Sequence, residues 1–191
     1  MAGASHHSWK PPIATAAVIT LSVALTCASH LFPAIIEALQ RNPSALVAGE
    51  IWRIVTPLFV QPDPWPITLS IWGLLIVCGV AVEQIFGVAG WLALYATGAV
   101  VGEIAGYVWQ PLGSGGSIAV AGLLGGLIAW FLSKPTPWFA KIGVVVVIAG
   151  ALMDTWAKDI HGLPLLAGIL VGVLLLRRRH ADGPHRPTDR V

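Results

Sequence analysis

The sequence predicts an all-α membrane protein built from six transmembrane helices. Hydrophobic residues make up 56% of the 191 residues and charged residues only 10%, whereas a soluble domain carries about 25% charged residues. Apolar segments of roughly the length that crosses a bilayer, about 20 residues, recur along the chain. They cover residues 13–32, 65–83, 88–109, 115–133, 138–156 and 160–176. A soluble core would require helices with polar faces, which these segments lack.

The first span is predicted to be a retained membrane helix rather than a cleaved signal peptide. Its apolar run is long, and no clear small-residue cleavage site leads into a soluble chain. Residues 1–12 then form a cytoplasmic N-terminal tail, and residues 13–176 form one six-helix membrane domain. After the first span, residues 33–40 carry apolar side chains at helical spacing, which predicts an amphipathic helix at the membrane surface.

Glycines spaced four residues apart recur in the third, fourth and sixth spans, and small residues at this spacing let helix backbones approach closely. The pairs are Gly102 with Gly106, Gly122 with Gly126, and Gly168 with Gly172. We therefore expect the fourth and sixth helices to pack tightly against each other. The pattern is common in multi-pass proteins and indicates no chemistry by itself.

Lysine and arginine residues predict the orientation in the membrane. Six spans leave both termini on one side, which would hold eight of the 11 lysines and arginines. The termini are therefore expected to face the cytoplasm, with the chain in the cytoplasmic membrane. Residues 177–191 are predicted to form a basic, disordered tail. Its arginines at 177–179 would attract anionic lipid headgroups, and the run is too short to indicate nucleic-acid binding.

Ser117 and His161 each lie at the start of an apolar span, where a polar side chain is costly. With the predicted orientation, the fourth and sixth helices both enter from the outer side, so the hydroxyl and the imidazole lie at the same depth. This pairing suggests a nucleophile and its general base. Taken alone, Ser117 is also a typical helix-capping residue, and His161 is also a typical residue of the water boundary.

Three acidic residues are further candidates for the site. Glu103 lies inside the third span, where an ionisable group is a functional candidate; it could stay protonated, pair with Lys158, or face a water-filled cavity. Asp154 and Asp159 flank the turn before His161. Either could orient the imidazole as a third member of the site, and either could instead be a solvated or capping residue.

No cofactor or metal is expected. The remaining histidines, at positions 6, 7, 30, 180 and 185, do not have the spacing of metal ligands. Cys27 and Cys78 lie near opposite ends of their spans, so their predicted depths differ by roughly 10 Å or more. A disulfide between them is not expected, because bridged Cα atoms lie within about 7 Å of each other.

Several motifs together resemble the rhomboid family of intramembrane serine proteases. The segment 49–57, GEIWRIVTP, is similar to the family's loop signature and includes its Trp52-Arg53 pair. Residues 82–87, VEQIFG, resemble the acidic turn that closes the family's second helix. Gly115-Gly116-Ser117 matches the start of the family's GxSG motif, and His161 followed by Ala-Gly at 167–168 resembles its sixth-helix motif.

The resemblance implies a six-helix bundle with cytoplasmic termini and an intramembrane endopeptidase activity. Ser117 would be the nucleophile, and His161 would be the general base and acid. The pair would cleave transmembrane segments of other proteins near the outer leaflet, through an acyl-enzyme and without a metal or cofactor. The Trp52-Arg53 pair is expected to anchor the outer loop at the membrane interface rather than to take part in chemistry.

The chain departs from the family at the oxyanion site. Aligned without gaps, Pro66 and Ser70 occupy the positions of the family's histidine and asparagine donors, and Ile118 replaces the glycine after the nucleophile. Proline has no donor, and the loss of one oxyanion donor lowers the rate by about 10²–10³. The alternative prediction is therefore an inactive rhomboid-like protein that binds or escorts membrane-protein clients. A transporter built around Glu103 is a more distant alternative, because no pair of broken helices is apparent.

Overall fold

The computed structural model describes residues 9–181, and the fold of this part is helical throughout. The predicted tails at 1–8 and 182–191 lie outside the described residues. In chain order the α-helices are α1 (Ile13–Leu31), α2 (Ala34–Leu39), α3 (Pro43–Val47), α4 (Trp65–Trp109), α5 (Ser117–Leu132), α6 (Trp138–Trp156) and α7 (Gly162–Ala181). Two 3-10 turns, Ile51–Ile54 and Thr56–Phe59, lie between α3 and α4. The predicted all-α class is confirmed.

Helix α4 is 45 residues long and has a break at Gly87. A bilayer requires about 20 helical residues, so α4 is long enough for two spans. Gly87 has φ 71° and ψ 175°, a conformation that is essentially restricted to glycine. The break lies between the predicted spans 65–83 and 88–109 and divides α4 into two helical halves.

Within residues 9–181, the three helices α1, α4 and α6 are long and apolar enough to cross a membrane, and α5 is a shorter apolar helix of 16 residues. The chain is therefore a membrane protein. The six-span count stays a prediction, although the break in α4 and the positions of α5 and α7 fit it. Helix α7 continues past the predicted end at residue 176, so Arg177–Arg179 begin the predicted tail as helix.

Helix α5 lies between α4 and α7, where glycines allow the backbones to touch. A methyl group added to Gly98 of α4 would lie 2.9 Å from the Cα atom of Gly122 in α5. A methyl group added to Gly168 of α7 would overlap the Gly122 carbonyl group. The second of these approaches, between α5 and α7, confirms the close packing predicted for the fourth and sixth helices.

The segment between α1 and α4 is held together by Arg53, which is only 5% exposed. Its guanidinium donates to the carbonyl oxygens of Glu37 (2.7 Å) and Gln40 (2.8 Å) and pairs with the Glu50 carboxylate at 2.6 Å. Trp52 is 48% exposed and donates from Nε1 to a backbone carbonyl in α2. Arg53 therefore acts as a buried clamp on the α2 segment, and the anchoring of the loop at the membrane interface by the Trp52-Arg53 pair stays a prediction.

Candidate active site

Ser117 and His161, 44 residues apart in the chain, are joined by a hydrogen bond. Ser117 Oγ lies 2.9 Å from His161 Nε2, and both side chains are partly buried. Ser117 is the first residue of α5, and His161 directly precedes α7. The close packing of these two helices brings their ends, and hence the two side chains, together. The geometry is that of a nucleophile and its base, whereas their catalytic roles remain predictions.

The two glycines before Ser117 let the chain pass close to the 3-10 turn at Thr56–Phe59. Gly115 has φ 140°, which favours glycine, and its N–H donates to the Pro57 carbonyl oxygen at 2.8 Å. A methyl group on Gly116 would lie 2.6 Å from the Leu58 carbonyl oxygen. This loop therefore requires small residues, and it fixes the start of α5 and with it the position of Ser117.

Asp159 holds the other side of the imidazole. Its Oδ1 atom accepts from the His161 backbone N–H at 2.9 Å and lies 2.6 Å from the ring Nδ1. Since an ionised carboxylate is only an acceptor, Nδ1 is the donor in this contact and Nε2 is left to accept the Ser117 proton. Of the two predicted orienting candidates, the structure thus places Asp159, rather than Asp154, against the ring.

The pKa of Asp159 is shifted by its contacts with His161. Partial burial acts to raise the pKa of this carboxyl group, but the hydrogen bonds from the backbone N–H and the ring of His161, together with the charge on the ring, outweigh it. The net result is a pKa below the ordinary value of 3.8. Asp159 is therefore ionised at neutral pH, as the orienting contact requires.

A cavity of about 270 Å³ opens beside Ser117 and His161. Its walls are mostly apolar and come from α4, α5, α6 and α7. Ile71 and Leu74 line it from the first half of α4, and Asp154 lines it from α6. The site therefore adjoins a mainly apolar space between helices, in which Asp154 is a polar group at the wall rather than a partner of the imidazole.

The two weakened oxyanion positions do not contribute to this cavity. Pro66 has no N–H, and the Ser70 hydroxyl donates to the Pro66 carbonyl oxygen at 2.8 Å on an exposed part of α4. Backbone donors are available instead, because the first N–H groups of a helix, here those of Ser117 and Ile118 in α5, have no partner within the helix.

Ile118, the residue that replaces the family's glycine after the nucleophile, packs away from Ser117. It is fully buried, and a methyl group on Gly102 of α4 would lie 2.5 Å from its Cβ atom. Consecutive helical residues point about 100° apart, so the side chains of Ser117 and Ile118 occupy different faces of α5. The isoleucine packs on α4, and this direction was available from helical periodicity alone.

Glu103 lies apart from the Ser117–His161 pair, and its partner is Arg41 rather than Lys158. The Glu103 Oε1 atom lies 3.1 Å from Arg41 Nη1, and the two side chains are 5% and 2% exposed. Glu103 also borders a second cavity of about 610 Å³, which includes neither Ser117 nor His161. Arg41 could not be identified from the sequence, because a loop arginine gives no signal that its side chain is buried.

Among the described residues, no group of three or more histidine, cysteine, aspartate or glutamate side chains could hold a metal ion. His6, His7 and His185 lie outside residues 9–181. Cys78 is buried and Cys27 is exposed, and both thiols are free.

Comparison with known proteins shows which protein family this chain resembles. The family model for the Rhomboid domain matches residues 48–180. Rhomboid-like protease 3 of Toxoplasma gondii is 26% identical over 135 residues, which cover 66% of this chain and 51% of that protein. The putative rhomboid protease YdcA of Bacillus subtilis (strain 168) is 26% identical over 133 residues, which cover 66% of each chain.

The match thus spans about half of the length of the first relative and about two thirds of the second. The matched region contains the clamp residue Arg53, the glycine loop, Ser117 and His161. Because the family model covers well over half of the sequence, the chain belongs to the rhomboid family.

Proposed function

We propose that the protein is an intramembrane serine endopeptidase that cleaves transmembrane segments of other membrane proteins near the outer leaflet. The observation that carries the proposal is the 2.9 Å hydrogen bond between Ser117 and His161 beside a cavity between helices. Family membership supports it, since both relatives described above are named as proteases. The substrate is a protein segment that enters from the bilayer, and no metal or cofactor takes part.

In this mechanism, His161 Nε2 accepts the Ser117 proton as the serine oxygen attacks the carbonyl carbon of the scissile peptide bond. The carbonyl π electrons move to its oxygen, which becomes negatively charged, and the imidazolium is stabilised by the Asp159 carboxylate. His161 then gives its proton to the leaving amine, and the C–N bond breaks. Water, activated by the same imidazole, hydrolyses the serine ester and restores the enzyme.

The membrane arrangement is part of the proposal. Six spans with both termini in the cytoplasm place the starts of α5 and α7 at the outer side of the cytoplasmic membrane. A site at this depth lies close enough to the surface for water to reach the acyl-enzyme. The apolar cavity beside it accommodates part of a substrate in a conformation that exposes one peptide bond.

An inactive, client-binding rhomboid-like protein is the second candidate. It is favoured by one observation: Pro66 and Ser70 present no hydrogen-bond donor to the cavity beside Ser117. A protein of this kind would retain the apolar cavity and bind transmembrane segments without cleaving them.

A fluorophosphonate probe, which reacts with activated serines, separates the two candidates. Purified protein in detergent or liposomes should be labelled, and both Ser117→Ala and His161→Ala should abolish the labelling. Ser70→Ala, at an exposed serine, is the matched control and should keep it. No labelling of the parent, together with no cleavage of a panel of single-span substrates, would contradict the protease proposal and favour the inactive, client-binding alternative.

A further inference from the structure

Gln61 has a buried side-chain amide whose oxygen lacks a hydrogen-bond partner among the described residues. The residue is 1% exposed, and its backbone N–H donates to Thr26 Oγ1 at 3.1 Å, which ties it to α1. Its Oε1 atom has no hydrogen-bond partner among the described residues. Burying an unpaired polar group costs about 1–3 kcal/mol, so such a group calls for an explanation.

The amide lies against the loop that presents the nucleophile. The point at which Gly115 would carry a Cβ atom is 3.2 Å from Gln61 Oε1 and 3.7 Å from Ser117 Oγ. The corresponding point at Gly116 is 3.4 Å from Gln61 Nε2. One position beside the loop is thus close to both the amide and the serine oxygen. Because Gly115 and Gly116 carry no side chains, the loop backbone can approach the amide this closely.

The oxyanion site lacks a side-chain donor, and Gln61 is suited to supply one. The backbone N–H groups at the start of α5 are available, but Pro66 has no N–H and the Ser70 hydroxyl already donates to the Pro66 carbonyl oxygen. A glutamine side chain has an NH₂ group with two donors and a carbonyl oxygen on the same planar group. A half-turn about its last torsion exchanges them, so the NH₂ group can occupy the position nearer to the serine.

We propose that Gln61 is the side-chain donor of the oxyanion site, and this inference rests on the proposed protease function. When Ser117 Oγ bonds to the scissile carbon, the carbonyl π electrons move to the oxygen. That oxygen then accepts a hydrogen bond from the Gln61 NH₂ group, in addition to backbone N–H groups at the start of α5. The side-chain amide replaces the donors that are missing at positions 66 and 70, and it finds its partner only during the reaction.

The test uses Gln61→Met, which has similar length and no donor, and Gln61→Glu, which has the same shape but carries a charge that repels an oxyanion. Gln110→Met, at an exposed glutamine after α4, is the matched control. The readouts are kcat and KM on a single-span substrate, the rate of fluorophosphonate labelling, and the melting temperature. We expect Gln61→Met to lower kcat by about 10²–10³, with little change in KM. Its melting temperature should be equal to or above that of the parent, because an unpaired polar group is removed.

Gln61→Glu should be at least as slow as Gln61→Met, and Gln110→Met should match the parent. The inference is overturned if Gln61→Met keeps kcat within about threefold of the parent, as it would if a buried water merely satisfied the amide. It is also overturned if the loss of kcat in both variants follows a fall in melting temperature. A parent that reacts through Ser117 while Gln61→Met keeps its rate removes only this assignment. A parent that does not react through Ser117 removes the protease function as well.

Discussion

The neighbouring helices α5 and α6 are built from similar apolar residues but lie in different surroundings. In α5, Ile118, Val120 and Leu123 are at most 2% exposed, whereas in the described part of the chain Ala151 is the one residue that α6 buries. The same contrast holds for glycine. Gly122 of α5 touches two other helices, whereas a methyl group on Gly143 of α6 would meet no described atom within 4 Å.

This contrast shows that apolar composition predicts a membrane helix but not what the helix contacts. Helix α5 carries Ser117 and is fixed on both sides by α4 and α7. Helix α6 supplies one wall of the cavity and presents large apolar side chains outward, with Val146 64% and Trp156 82% exposed. The interior around α5 should therefore tolerate substitutions poorly, and the flank formed by α6 should tolerate them well.

The largest difference is expected between two carboxylates, Glu103 in the interior and Asp154 on α6. Glu103→Ala leaves the Arg41 guanidinium buried without its partner, and this should lower the free energy of unfolding by about 3–5 kcal/mol. Asp154→Ala removes an exposed group and should change it by less than about 0.5 kcal/mol. Thermal unfolding of both variants in detergent micelles measures the two effects. Equal melting temperatures would contradict the proposed difference between interior and flank.

A smaller effect of opposite sign in the two helices is expected at the glycines. Gly122→Ala places a methyl group 2.8 Å from the Cα atom of Gly98, so the helices must separate, and about 1–3 kcal/mol of stability should be lost. Gly143→Ala meets open space in a helix and should gain about 0.4–1 kcal/mol. The same unfolding assay gives both values. A loss of stability in Gly143→Ala would mean that α6 has a neighbour at this position.

The smallest effect is expected at the turn between α6 and α7, and it concerns activity. Asp159→Asn keeps the shape but loses the charge that faces Nδ1 of His161, so kcat should fall by about 10-fold. The fall is far less than the ~10⁴-fold loss known for a buried triad aspartate, because the Asp159 side chain is 41% exposed. Glu37→Gln, at an exposed carboxylate that does not line the cavity, is the control and should leave kcat unchanged.

The difference in stability between the parent and Asp159→Asn should also depend on pH, because the pKa of Asp159 is lowered. The contribution of its carboxylate to stability is fully present above the unfolded-state pKa, about 3.9. It is lost as the pH falls through the still lower pKa of the folded state. The free energies of unfolding of the parent and of Asp159→Asn should therefore differ at pH 7 and converge in strong acid. A difference that is the same in strong acid as at pH 7 would argue against an ionised Asp159 in this contact.

The positions of the helices could be predicted because bilayer thickness limits the length of each apolar run. The fifth predicted span, 138–156, has the bounds of α6, and the gap between the second and third spans contains the break at Gly87. The common depth of Ser117 and His161 followed from the same limit together with the distribution of lysine and arginine. Helix position, and hence depth, is a local property of the sequence.

The inward-facing loop residues could not be predicted in this way. Arg41 and Gln61 are among the most buried side chains, but both lie in irregular segments without periodicity. Their burial depends on which other helix the loop meets, and this is decided by packing between distant parts of the chain. The choice between Asp154 and Asp159 likewise depended on the conformation of one turn, in which Lys158 has φ 60°.

Gly87 shows that free space around a residue is not the same as freedom to change it. A methyl group there would meet no described atom within 4 Å, yet its φ of 71° and ψ of 175° lie in a region that other residues enter at about 1–3 kcal/mol. A mutational scan judged by side-chain crowding would classify this position as neutral. The backbone itself selects glycine here, so engineering of the joint between the two halves of α4 has to preserve a conformation rather than a contact.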